Sequence, residues 1–308
     1  MSKPRRKKGN AVNGWLVLDK PIGMTSTQAV GAVRRAFNAQ KAGHAGTLDP
    51  LATGILPIAL GEATKTVPFA VDGEKVYCFA VRWGTETTTD DTEGPVVNSS
   101  ETRPSRDAVE VLLQSFTGKI LQVPPQFSAI KVDGARAYDL ARSGETVVME
   151  ARPVTIDALR IEAMPDADTT VFVAECGRGT YVRSLARDLG RRLGCFGHVI
   201  ELRRTRVGGF DQAASVTLEA LRDAAALPDP AAMMALLLPT EAALDGLIGW
   251  PVSSDDASRL HRGQAVLIRG RDAPITAGEA YAVCKGRLIA LGRLEKGEFR
   301  PTRVFNFE

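Results

Sequence analysis

The residues of this 308-residue chain best placed to do chemistry lie in Gly43–Pro50, which reads Gly-His-Ala-Gly-Thr-Leu-Asp-Pro. The stretch is too polar and interrupted for a core strand. Gly43 and Gly46 let the backbone turn tightly or approach a ligand closely. Pro50 biases Asp49 towards an extended backbone and so restricts where its carboxylate points. A ring (His44) and an aimed carboxylate (Asp49) on one short loop could grip a planar group and act on it. Taken alone the octapeptide is equally an ordinary turn, since Asp-Pro commonly starts one. Its weight comes from the other segments.

Those segments must first deliver the loop. Gly14–Lys20 carries the apolar run Trp15–Leu18 and ends at Asp19-Lys20-Pro21, the pattern of a strand running into a turn. Thr25 and Gln28 form a capping box, and Val30, Val33 and Phe37 continue at helical spacing. Gly54–Leu60 is a short buried run that Pro57 assigns to a sheet edge or bulge. Lys75–Trp83 alternates with period two, with Tyr77, Phe79, Val81 and Trp83 on its more aromatic face. A tyrosine such as Tyr77 is by default core with its hydroxyl bonded. Gly84–Gly94 reads as a loop whose carboxylates, Asp90 and Asp91, are solvated by default or hold ribose hydroxyls.

A second informative stretch is Val171–Leu193: a strand (Val171–Cys176), a turn (Gly177–Gly179), then a helix capped by Thr180. Leu185, Leu189 and Leu193 form its buried stripe. Arg183, Arg187 and Arg191 recur likewise, roughly 160° round the axis from the leucines. Arg183 falls in the first turn, where the helix dipole disfavours a cation. A solvated arginine tolerates that position; one bound to a carboxylate has a reason to be there.

Basic residues cluster although the formal net charge is only +3. The start, Met1–Lys8, is a basic tail. Ala135–Ser143 interleaves Arg136, Tyr138 and Arg142 after the proline-broken Val123–Lys131, as suits a nucleic-acid clamp or a surface hairpin. Arg178 to Arg206 is the densest basic run after the tail, and a phosphate-facing surface is its stronger reading. Asp107–Phe116 reads as a helix, and Pro228 and Pro230 split Leu218–Leu238 into two helical pieces. From about Val252 short β-like runs take over (Ala265–Ile268, Ala280–Cys284, Leu288–Leu291, Arg303–Phe307), the texture of a small all-β unit.

A 44% hydrophobic, 24% charged chain of this length is a soluble globular protein of two domains. No apolar run approaches the ~18 residues of a membrane span, and no apolar segment follows the basic start as in a secretory signal. Four scattered cysteines and three separated histidines build neither a zinc pattern nor a disulfide framework, which points to a reduced cytoplasm.

Together, Gly14–Ser26, Lys41–Pro57, Gly61–Lys65, Pro124–Lys131, Gly179–Arg183 and Leu202–Arg204 resemble the TruB family of bacterial tRNA pseudouridine-55 synthases, in that family's order and spacing. The resemblance implies an α+β fold with a pseudouridine-synthase-like mixed, largely antiparallel sheet flanked by helices, and a small C-terminal β-rich domain resembling a PUA domain. It divides the chain into a disordered tail (1–10), a catalytic domain (11–245) with an RNA-clamping excursion at about 123–150, and an RNA-binding domain (246–308). It implies conversion of uridine to pseudouridine in the tRNA T-loop, at position 55, without metal or organic cofactor. Asp49 is then the nucleophile, attacking either ribose or base. His44, Tyr77, Tyr181 and Leu202 surround the target nucleotide, Arg183 pairs with Asp49, and Lys20 and Pro21 are mainly structural. Asp91 is a substrate contact, although Thr88 stands where the family more often has an acid. The expected partner is the T-arm of tRNA, with no membrane and no guide RNA, the protein being a cytoplasmic monomer. The physics agrees: a nucleophilic carboxylate must be ionised, which a neighbouring arginine favours. A base buried in an RNA loop must also be unstacked to be reached. The competing readings are a tRNA-binding or folding protein with little or no catalysis, and a guide-RNA-dependent relative.

Overall fold

The computed structural model describes residues 9–128, 130–132, 135–136, 149–268 and 277–307. Its first strand, β1 (Gly14–Lys20), is fully buried along Trp15–Leu18. Alternation sends Leu16 and Leu18 to one face, with Leu56, Phe79 and Leu185. It sends Trp15 and Val17 to the other, with Ile55, Ala59 and Phe210. Four consecutive residues thus require a sheet covered on both faces, each large side chain contributing about 1.5–3 kcal/mol by burial. The Trp15 indole is also tied by Nε1–H bonds to Thr66 Oγ1 and Thr240 O, 3.2 Å each.

Helix α1 (Ser26–Ala36) starts at the expected capping box: Thr25 Oγ1 accepts from Gln28 N and Gln28 Oε1 accepts from Thr25 N. Then come β2 (Ala42–His44), β3 (Thr53–Leu60), α2 (Val67–Asp72), β4 (Lys75–Trp83), β5 (Thr85–Thr87) and β6 (Val96–Ser99). Helix α3 (Arg106–Leu113) leads to β7 (Gly118–Gln122), β8 (Lys131–Val132), β9 (Ala135–Arg136), β10 (Arg152–Asp166) and β11 (Thr169–Cys176). Helix α4 (Val182–Arg192) precedes β12 (Gly197–Val207), β13 (Phe210–Asp211) and β14 (Ser215–Thr217). Two short helices, α5 (Leu218–Ala226) and α6 (Pro230–Met234), are separated where the prolines require it.

The central sheet runs β14-β1-β3-β12-β4-β11-β10-β7, with β2 on β3 and β13 on β12. Only β14–β1 and β12–β3 are parallel, so it is mixed and largely antiparallel. Pro57 is not at the sheet edge: β3 lies between β1 and β12. Pro57 pairs with Val17, and its carbonyl points away from β1 to accept from Ala45 N. In an extended residue N and C=O point to the same side, so the missing N–H costs the β1 ladder nothing.

Gly54 is where β3 meets β12. Its φ is +98°, and a Cβ there would lie 2.1 Å from Arg204 O. Gly54→Ala therefore combines left-handed strain with a backbone clash and should cost about 2–5 kcal/mol. An unfolding midpoint equal to that of the wild type would contradict this reading of the β3–β12 junction.

The C-terminal unit is β15 (Ile248–Pro251), α7 (Ser254–His261), β16 (Val266–Leu267), β17 (Gly278–Cys284), β18 (Arg287–Glu295) and β19 (Glu298–Val304), in sheet order β15-β17-β18-β19-β16. Its two tight hairpins turn at Lys285-Gly286 and Lys296-Gly297, all four residues at positive φ. The last strand stops at Val304, short of the expected Phe307. Phe305 instead packs with Leu244, Leu288 and Leu291 beside Phe69 of α2. Lys65 Nζ donates to Val304 O and Asn306 N to Glu62 Oε2, joining this unit to the main sheet's flank.

Of the expected tail, Gly9 and Asn10 belong to the body: Gly9 O accepts from Gln40 and Asn10 N donates to Asn38 O. Residues 1–8, and Tyr138 and Arg142 of the expected clamp, lie outside the described residues.

Candidate active site

The expected loop begins as a strand. Gly43 and His44 belong to β2 and pair with Ala59 and Ile58, and only Gly46 takes a positive φ, +94°. From there to Pro50 the main chain is held by its surroundings. Arg204 donates to Gly46 O (3.1 Å), Thr47 O (3.4 Å) and, through Nε, Ile55 O (2.8 Å). Ser26 Oγ accepts from Leu48 N (2.8 Å) and donates to Leu48 O (2.9 Å). Ala52 N donates to Asp49 O, and Gly23 N and Lys20 Nζ to Pro50 O. Lys20 is buried and also donates to Pro21 O and Met24 O, which supports its structural reading. Burial pushes its amine down to about 8, against the pull of Asp49.

The Asp49 carboxylate leaves this frame towards Arg183 in the first turn of α4. Asp49 Oδ2 lies 3.0 Å from Arg183 Nη2, the carboxylate side chain 36% exposed and the arginine 6%. Arg183 also donates to Phe127 O, Thr89 O and Asp91 Oδ2, at 2.9, 3.0 and 3.2 Å. Asp90 and Asp91 are not solvated. Asp91 is 1% exposed behind Arg183, Asp90 meets Arg187 Nη1 at 3.0 Å, and Glu86 takes Arg191 in two bonds of 2.8 Å. The arginine stripe of α4 is thus matched by one acid per turn. Burial pushes the Asp90 carboxyl up to about 6 despite the opposing pull of Arg187 and Arg183.

The same pairing narrows the expected phosphate-facing surface, of which Arg178, Arg191 and Arg192 remain exposed. Besides the α4 stripe, Arg203 grips Asp19 through two bonds, Arg206 meets Glu74, and Arg204 is buried on backbone carbonyls. The cap of α4 is Tyr181 rather than Thr180, whose hydroxyl donates to Gly177 O. Tyr181 is fixed through its backbone: Gln122 Oε1 accepts its N–H and Gln122 Nε2 donates to its carbonyl.

A cavity of about 270 Å³ opens over Asp49, lined by Tyr77, Tyr181, Arg183, Leu202 and Arg204, with Lys75 and Arg178 on one flank and Ser128 on another. Four expected residues besides Asp49 therefore meet in one cleft: Tyr77, Tyr181, Arg183 and Leu202. Asp91 and His44 are not among its lining. Asp91 reaches the site only through Arg183. His44 lies on β2 with Nδ1 buried and unpartnered, and burial, then Arg204, push its pKa down. Burial raises both tyrosine hydroxyls, so each stays protonated and can donate. Lys75, unmarked by the sequence reading, donates to Val71 O and Gly73 O; burial pushes it down to about 8. Chemically, the cleft offers one half-exposed carboxylate steadied by a buried guanidinium that is held on four oxygens, between aromatic and aliphatic walls that fit a planar ring.

The chain that carries this cleft belongs to a class of RNA-base-isomerising enzymes, as the family models show. TruB family pseudouridylate synthase (N terminal domain) matches residues 34–182, and the tRNA pseudouridylate synthase B C-terminal domain matches 183–245; the chain belongs to the TruB family of pseudouridine synthases. Among curated relatives, tRNA pseudouridine synthase B of Nitrobacter winogradskyi is 58% identical over 99% of this chain and 86% of its own. That of Agrobacterium fabrum is 55% identical over 99% and 100%. The fold also matches a Cbf5-Nop10-Gar1 complex (TM-score 0.72, 25% identity, 95% of this chain and 84% of that one). An archaeal box H/ACA sRNP Nop10-Cbf5 complex matches too (TM-score 0.74, 24% identity, 99% and 93%). No helix among the described residues is long and apolar enough to cross a membrane.

Proposed function

We propose that this enzyme isomerises uridine to pseudouridine at position 55 in the T-loop of tRNA, with Asp49 as nucleophile. The observation that carries the reading is the half-exposed Asp49 carboxylate, 3.0 Å from buried Arg183 at the floor of a nucleotide-sized cleft. The target uridine swings out of its stack, at a cost of a few kcal/mol, and enters between Tyr77, Tyr181 and Leu202. Asp49 bonds to the nucleoside. The N1–C1′ bond breaks, the base turns, C5 bonds to C1′, the C5 hydrogen leaves as a proton and N1 gains one. Asp49 is released as a carboxylate, so the reaction balances without oxidant or reductant.

The names of the relatives, covering nearly the full chain, support tRNA as substrate. Residues 11–245 form the catalytic unit, and 246–308 act as a PUA-like RNA-binding domain in a cytoplasmic monomer. A ribonucleoprotein reading is favoured only by the fold neighbours, which are chains of Cbf5 complexes. Incubating the protein with an unmodified tRNA transcript and no other RNA separates the readings. Pseudouridine mapped at T-loop position 55 supports ours; binding without product, or product only with added guide RNA, overturns it.

With so many arginines committed inside the protein, phosphate contacts fall to exposed cations such as Arg34, Arg35, Lys41 and Arg152, which lack ion-pair partners among the described residues. If four such contacts form, tRNA affinity should fall about 50-fold between about 50 and 200 mM salt. A flat salt response would remove them from the interface.

A further inference from the structure

The catalytic loop is gripped by a buried cation that meets no carboxylate. Arg204 is 1% exposed; it donates to three main-chain oxygens, and its guanidinium also stands beside the Tyr77 hydroxyl. Burying a guanidinium without a counter-ion is expensive, and a well-packed apolar side chain would serve stability better. Its acceptors show what it does instead. Gly46 O and Thr47 O lie three and two residues before Asp49, and Ile55 O lies beyond the loop on β3, so one side chain ties the two ends of the loop together. Gly54 is bare because the Arg204 backbone must come this close, and a Cβ on Gly46 would lie 3.4 Å from Arg204 Nη1. Across the β12–β4 ladder Arg204 stands opposite Tyr77, so its side chain shares a face with that wall of the cleft.

With Ser26 on both polar groups of Leu48, and Ala52, Gly23 and Lys20 beyond, every carbonyl from Gly46 to Pro50 has a partner. The Asp49 carboxylate projects from that frame into the cleft. Charge follows the same division: Arg183 is shared by two carboxylates, Asp49 and Asp91. Arg204 adds positive charge beside them without occupying an Asp49 oxygen, leaving a lone pair free to attack.

We infer that Arg204 is a positioning residue for Asp49, aiming the carboxylate through the Gly46 and Thr47 carbonyls while contributing charge that its oxygens need not bind. This rests on Asp49 being the nucleophile. The loop must hold the attacking oxygen to within a fraction of an ångström, since a displacement of about 1 Å costs about 10²-fold in rate.

The test is the single-turnover rate at saturating tRNA, with tRNA affinity and thermal unfolding measured alongside, for Arg204→Met, Arg204→Lys, Ser26→Ala and Asp49→Asn. Arg204→Met should lose about 10²-fold or more in rate while tRNA affinity stays within about threefold. Arg204→Lys, which keeps the charge and reaches part of the acceptor set, should recover about tenfold of that loss. Ser26→Ala, which frees only Leu48, should lose about tenfold and decides the matter if the Arg204 variants do not fold. Folded Arg204→Met turning over at the wild-type rate, or a Lys variant no better than Met, overturns the inference; so does wild-type turnover by Ser26→Ala where the arginine variants fail to fold. Asp49→Asn keeps two failures apart: if it retains activity, the nucleophile assignment falls, whereas an inactive Asp49→Asn beside a fully active Arg204→Met defeats the positioning role alone.

Discussion

Asp49→Asn is expected to bind tRNA as tightly as the wild-type protein and to form pseudouridine at a rate lower by about 10⁴-fold or more. The substitution is nearly isosteric, and an amide oxygen is a far poorer nucleophile than a carboxylate. Affinity should survive because the lost negative charge never favoured a polyanion. The site's framework should survive too: Arg183 keeps Thr89 O, Asp91 and Phe127 O, and the loop carbonyls keep Arg204, Ser26 and Lys20. Binding by filter or fluorescence, with product measured under single turnover, reads the two effects separately. Weakened binding with an unchanged rate would recast Asp49 as a contact.

Arg183→Met is expected to damage stability and chemistry together. It leaves Asp91, 1% exposed, as a buried charge without its cation, and leaves Thr89 O and Phe127 O without their donor. Breaking such a pair costs about 3–5 kcal/mol. Turnover should fall by about 10²-fold or more, because the carboxylate loses the partner that orients it. Adding Asp91→Asn removes the stranded charge, so the double variant should regain part of the stability and none of the rate. This non-additivity is what a shared network predicts. An Arg183→Met protein that unfolds at the wild-type temperature would contradict the bracket, and one that turns over normally would remove Arg183 from the site.

What was legible in the chain was mostly local. The capping box at Thr25, strands β1 and β4 and the paired prolines after α5 are written in neighbouring residues, and the structure follows them. The family's motifs located Asp49, Tyr77, Tyr181, Arg183 and Leu202, which the fold gathers in one cleft. Hidden from the sequence were the partners that fold in from far away. Asp90 and Asp91 read as solvated because they are polar and flanked by threonines; their arginines lie 97 and 92 residues on. The i, i+4 stripe of Arg183, Arg187 and Arg191 is visible, and Arg183 is expected beside a carboxylate, but the acids that meet Arg187 and Arg191 are not, and the run from Arg178 to Arg206 reads as a phosphate-facing surface. Pro57 showed a missing donor without showing which side of the strand would miss it. Arg204 was the least legible: its partners are main-chain carbonyls, which leave no mark in a sequence.

The most direct measurement uses a tRNA transcript carrying tritium at C5 of its uridines, since joining C5 to C1′ must expel that hydrogen. The wild-type protein alone should release one equivalent, traceable to the T-loop, while Asp49→Asn binds the same tRNA and releases none. Tritium released by Asp49→Asn at the wild-type rate would mean that the bond to the uridine is made by some other group.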